Sequence, residues 1–148
     1  MFSFDQIRPP KAALVALSHN RLKSLAEMLL HDGINLDVPK AFGKFLNLGP
    51  RDILSYDILF IDMSSMSGVR DFVGALIGMR LEYPSLPVVL ISNEFIADDF
   101  GMTRRSICDV SLRGPFCTPS LEIACRQAFE NNLKWQEIVS AELSTQAA

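Results

Sequence analysis

The chain has 148 residues, of which 49% are hydrophobic, and this supports one domain with its own core and no need of metal or disulfide staples. A formal net charge of −3 and a pI near 5.3 exclude a duplex-binding surface, which requires clustered Lys and Arg. The densest basic spot is the Arg104-Arg105 pair, too small to alter that.

Residues 1–10 read as a leader, with Pro9-Pro10 stiffening its junction with the body. Residues 12–17 form the first apolar run and predict a strand. Ser18 or Asn20 can cap the next helix, whose stripe is Leu22, Leu25, Ala26 and Leu29. Asp32-Gly33 ends it, with Gly33 supplying a left-handed residue. A short strand at 35–38 stops at Pro39. Gly43, Gly49 and Pro50 predict a broken or short helix within 40–55.

Ile58 to Ile61 are four consecutive apolar residues, the pattern of a strand buried on both faces. It ends on Asp62, at the carboxyl end of a strand, where open α/β sheets place their chemistry. After the polar loop Ser64-Ser65-Met66-Ser67-Gly68 comes a helix over 67–82, with Val69, Phe72, Val73 and Leu76 on one stripe. Residues 87–91 are a second buried strand, ending in Ser92-Asn93. A loop and one weak helix are expected over 93–107, then a fifth strand over 108–112. Thr118-Pro119 starts the last helix, which nothing breaks before Leu143, a length of ~37 Å. Alternating strands and helices predict a three-layer α/β/α sandwich around a five-stranded parallel sheet.

Cys108, Cys117 and Cys125 cannot all pair and lack CxxC spacing, so they read as reduced thiols. The start lacks the basic-then-apolar order of a signal peptide, and no apolar run approaches the ~20 residues of a membrane span. A cytoplasmic protein with neither membrane nor nucleic acid as partner is expected.

Three segments stand in register on this strand order: Tyr56-Asp57-Ile58-Leu59-Phe60-Ile61-Asp62, then Ser92, then Gly114-Pro115-Phe116. Together, over residues 11–133, they resemble the receiver domain of response regulators. The resemblance implies a flavodoxin-like topology, two-component signal transduction or phosphorelay, and protein partners such as a histidine kinase, another regulator or an output protein. That family carries an acidic pair after strand one, a phospho-accepting Asp after strand three, a Ser or Thr after strand four and Lys-Pro after strand five. Here Asp62 holds the phospho-acceptor position, and Ser92, Gly114 and Pro115 hold the other motif positions.

The departures decide the function that is expected. Ala16, Leu17, Ser18 and His19 follow the first strand, so no acidic pair exists to help hold Mg²⁺. Gly114 replaces the lysine that neutralises phosphoryl oxygens, Ser111 replaces the switch aromatic, and Met66 replaces the loop proline. Phosphoryl transfer depends on positioning and charge neutralisation. The reading is therefore a degenerate receiver, with Asp62 inactive, no catalytic residue, no metal and no cofactor. Two alternatives stand beside it: a conventional phospho-accepting receiver using Asp62, and a STAS-like anti-sigma-factor antagonist switched at Ser64 or Ser65.

Leu121, Ala124, Cys125 and Ala128 form the stripe by which the final helix packs on the sheet. Phe129, Trp135, Ile138, Val139 and Leu143 continue the apolar character beyond it, so residues 134–148 read as a helix extension and tail. Trp135, Ile138 and Val139 are expected to form a protein interface, most simply in a homodimer. The competing expectation is that the helix wraps back onto its own domain.

Overall fold

A computed structural model describes residues 11–15, 19–31, 33–37, 42–63 and 69–147. Strands β1 (Lys11–Val15), β2 (Asn35–Asp37), β3 (Ile58–Asp62), β4 (Val88–Ser92) and β5 (Val110–Arg113) form one sheet in the order β2-β1-β3-β4-β5. All four pairings are parallel. The sheet is flanked by α1 (His19–His31), α2 (Phe42–Leu46), α3 (Pro50–Ile53), α4 (Val69–Glu82) and α5 (Thr118–Ala147).

Successive strand residues face opposite ways, and this divides the core in two. Ile58 and Phe60 join Leu25, Leu29, Leu121 and Cys125 under α1 and α5. Leu59 and Ile61 join Phe45, Ile53, Phe72 and Leu76 under α2, α3 and α4. Both central strands are buried at every residue, as their unbroken apolar runs require.

The expected stop of α1 is present. Gly33 has φ 77°, its N–H reaches Leu30 O at 3.0 Å, and Ile34 N–H reaches Leu29 O at 3.0 Å. These bonds satisfy the carbonyls that a helix end leaves over. The expected break in 40–55 is also present, with Gly49 extended ahead of Pro50, which opens α3.

The connection from β4 to β5 differs from expectation. The weak helix over 93–107 is absent, and turns take its place. Residues 93–109 carry no continuous apolar stripe to hold a helix on the sheet. Their polar groups pair with the outer side of β5 instead. Asp99 and Ser111 form an antiparallel bridge, with N–H to O distances of 2.8 and 3.0 Å.

Helix α5 spans 30 residues, roughly 45 Å at 1.5 Å per residue, and runs past Leu143 to Ala147. Its first bond joins Leu121 N–H to Cys117 O at 3.1 Å, so it begins one residue before the position that a Thr118 cap implies. Among the described residues no helix is long and apolar enough to cross a membrane.

Candidate functional site

The pairing register brings three of the expected positions to the carboxyl edge of the sheet. Asp62 ends β3, 0% exposed, with Ile91 as its Cα partner on β4. Ser92 ends β4 and pairs with Arg113 of β5. Its hydroxyl accepts a hydrogen bond from Glu94 N–H at 3.1 Å, and its carbonyl accepts Gly114 N–H at 3.1 Å. Gly114 is buried, Pro115 is exposed, and the peptide bond between them is cis.

Among the described residues, this edge holds little positive charge. Gly114 has no side chain to supply any. Arg113, next to it, turns into the β4–β5 connection, where Nη1 donates to Ile96 O at 3.0 Å. Its backbone N–H donates to Asp98 Oδ1 at 2.8 Å. Ser111, at the expected switch position, is buried and accepts Arg104 Nη1 at 2.8 Å on its hydroxyl. Ser64, Ser65 and Met66 lie outside the described residues, as do Ala16, Leu17 and Ser18, which contain no carboxylate. Among the described residues, no three His, Cys, Asp or Glu side chains are grouped to hold a metal.

The opposite edge carries a buried polar network. Arg80 projects from α4 into the protein, where Nη1 and Nη2 reach Asp109 Oδ2 and Oδ1, each at 2.9 Å. Both side chains are 0% exposed. Arg80 Nη2 also donates to Arg105 O at 2.9 Å, which ties down the β4–β5 connection. Asp109 Oδ2 accepts Val88 N–H at 2.8 Å and Asn132 Nδ2 at 3.3 Å. Asn131 Nδ2 donates to Phe100 O and Asp109 O, both at 2.9 Å. Burial pushes the Asp109 carboxyl above its ordinary range, while the Arg80 charge and the hydrogen bonds pull it back. A two-pronged contact with the remaining lone pairs filled is what makes such a pair tolerable inside a protein.

Sequence reasoning missed this network, although a signal was there. Phe72, Leu76 and Arg80 step by four along the buried stripe of α4, and an arginine on that stripe requires a carboxylate partner. Asp109 within the apolar run 108–112 is the matching anomaly.

The network also corrects the expected interface. Trp135 is 6% exposed and Val139 5%, both against their own domain. The indole lies under the Arg80 guanidinium, 4.7 Å from Cζ to the ring centroid, and Nε1 donates to Arg80 O at 3.2 Å. Ile138 is half-buried. Trp135 and Val139 are thus covered by the protein itself, and the helix does wrap back as far as residue 139. From Ser140 to Thr145 every residue is exposed.

No protein-family profile matches the chain, and no curated protein matches it. Solved structures do. A protein from Burkholderia pseudomallei described as pilus assembly-related has a TM-score of 0.66 at 17% identity, over 82% of this chain and 90% of that one. A response regulator from Thermotoga maritima has a TM-score of 0.63 at 18% identity, over 83% and 99%. The signal receiver domain of a modulated diguanylate cyclase from Desulfovibrio desulfuricans, described as an example of alternate folding, has a TM-score of 0.65 at 19% identity, over 84% and 97%.

Proposed function

We propose that this chain, which has the fold of response-regulator receiver domains, relays a signal by contact with a protein partner and accepts no phosphoryl group at Asp62. The observation that carries the reading is the engagement of the groups around Asp62. Ser92 accepts Glu94 N–H on its hydroxyl, Arg113 is held on Ile96 O, and Gly114 supplies no charge. In-line phosphoryl transfer needs cations on the equatorial oxygens, and nothing described at this edge provides one. Ser111 supports the same reading, because its hydroxyl fixes Arg104 where a mobile aromatic would report phosphorylation. The module then works by binding rather than catalysis, with a kinase, a second regulator or an output protein as its partner.

The test is the amide spectrum of the full chain with Mg²⁺ and beryllofluoride, or with a small-molecule phosphodonor. The expected result is no saturable shift and no added phosphoryl mass. A Mg²⁺-dependent shift that disappears in Asp62→Asn would restore the conventional phospho-switch.

A further inference from the structure

The proposed function calls for a contact surface, and the outer side of α5 has the features of one. On that side Leu54 and Leu133 are 51% and 64% exposed. They flank a groove of about 380 Å³ whose lining includes Pro87, Phe129 and Gln136. Large apolar side chains around a shallow cleft suit contact with a protein surface better than enclosure of a small molecule.

The charges beside this groove have an unusual order. Arg126, Glu130, Lys134 and Glu137 are all exposed and follow one another along the same face as Leu133, as plus, minus, plus, minus. Their spacing would allow ion pairs within the helix, yet none of the four is ion-paired with another described residue. Read in the reverse direction, the series has the opposite sign at every position. A second copy of the helix laid antiparallel, with the two-fold axis level with Asn131 and Asn132, therefore sets Arg126 against Glu137 and Glu130 against Lys134, each twice. A parallel copy in register would set like charges together at all four.

We infer that the Leu133 face of α5 is a two-fold contact between copies of this chain, with Leu133 of each copy meeting the groove of the other. The inference rests on the reading that the protein acts by contact, but it requires nothing of Asp62. It keeps α5 as the dimerisation element while moving the contact from Trp135 and Val139, which are covered, to the exposed face. Opposite charges around an apolar centre set register and orientation, and like charges exclude the parallel arrangement.

Charge reversal tests the register. Sedimentation equilibrium of the full chain should show a dimer, with Arg126→Glu and Glu137→Arg each weakening association by about tenfold or more. The double variant Arg126→Glu/Glu137→Arg should recover it, because the swap restores both pairs. All four residues are exposed, so circular dichroism should show every variant folded, and Leu133→Ser should weaken association without touching charge. A wild type that remains monomeric at several hundred micromolar would overturn the inference. So would single reversals that leave association unchanged, or a double swap that fails to restore it. Each result is independent of the beryllofluoride experiment, so either proposal can fail alone.

Discussion

Arg80 and Trp135 hold each other twice. The guanidinium lies 4.7 Å from the indole centroid, and the indole N–H returns a hydrogen bond to the arginine's own carbonyl at 3.2 Å. Through this pair the last turn of α4 and the middle of α5 are joined at the amino edge, with Asp109 completing the link to β5. Cation and ring attract most strongly when water is excluded, as it is here.

Breaking one side of the buried pair should therefore cost much more than removing both. Arg80→Met leaves Asp109 buried with only Val88 N–H and Asn132 as donors, and Asp109→Leu leaves a buried guanidinium. Each should lower the unfolding free energy by about 3–5 kcal/mol. The double variant Arg80→Met/Asp109→Leu should regain most of that loss in urea unfolding. A double variant as unstable as the two single losses combined would show that the side chains are not coupled.

Glycine replacements should separate two roles. Gly74 and Gly78 are exposed within α4, with nothing within 4 Å of where a Cβ would stand. Alanine at either should raise stability by about 0.8–1 kcal/mol through helix propensity. Gly33 has equally open space but φ of 77°. Gly33→Ala should lower stability by roughly 1 kcal/mol, since the left-handed conformation penalises a Cβ. Thermal melts of the three variants would check the opposite signs.

Alkali should destabilise the protein through identifiable groups. Tyr56 Oη donates to Asp37 Oδ2 at 2.9 Å. Burial, that hydrogen bond and the charges of Asp37 and Asp52 raise the phenol from 10.0 to about 12. Between those values the unfolded chain has lost the proton and the folded chain has not, so stability falls as pH rises. Below pH 10 the contribution is fully present. Burial likewise raises Cys108 from 9.0 to about 12, adding a decline in the same direction from pH 9 upward. In Tyr56→Phe, urea unfolding between pH 10 and 12 should show a shallower fall than in the wild type.

What the sequence disclosed and what it hid have physical reasons. Ile58–Ile61 and Val88–Ile91 admit one solution, because so many adjacent apolar residues can be buried only with both faces covered. The Asp62, Ser92 and Gly114 positions followed from those strands, since parallel pairing brings their carboxyl ends level. The β4–β5 connection was misread because its organising contacts are long-range: Asp99 with Ser111, and Arg105 O with Arg80. No local periodicity encodes a loop held by a partner 25 residues away. Trp135 was misplaced for the same reason, as its cover is an arginine whose aliphatic neighbours suggested an ordinary core stripe.

The Asp99–Ser111 bridge has a consequence for how the protein behaves in a crowded solution. A terminal strand normally presents a row of backbone donors and acceptors that another chain can extend, which is how edge-to-edge aggregation starts. Here Ser111 N–H and C=O are occupied by Asp99, and Arg113 N–H is occupied by the Asp98 carboxylate. The opposite border, β2, is described over three residues, Asn35–Asp37. The connection that gave up its helix therefore acts as a guard on the sheet, and copies of the chain meeting there find no template for adding a strand.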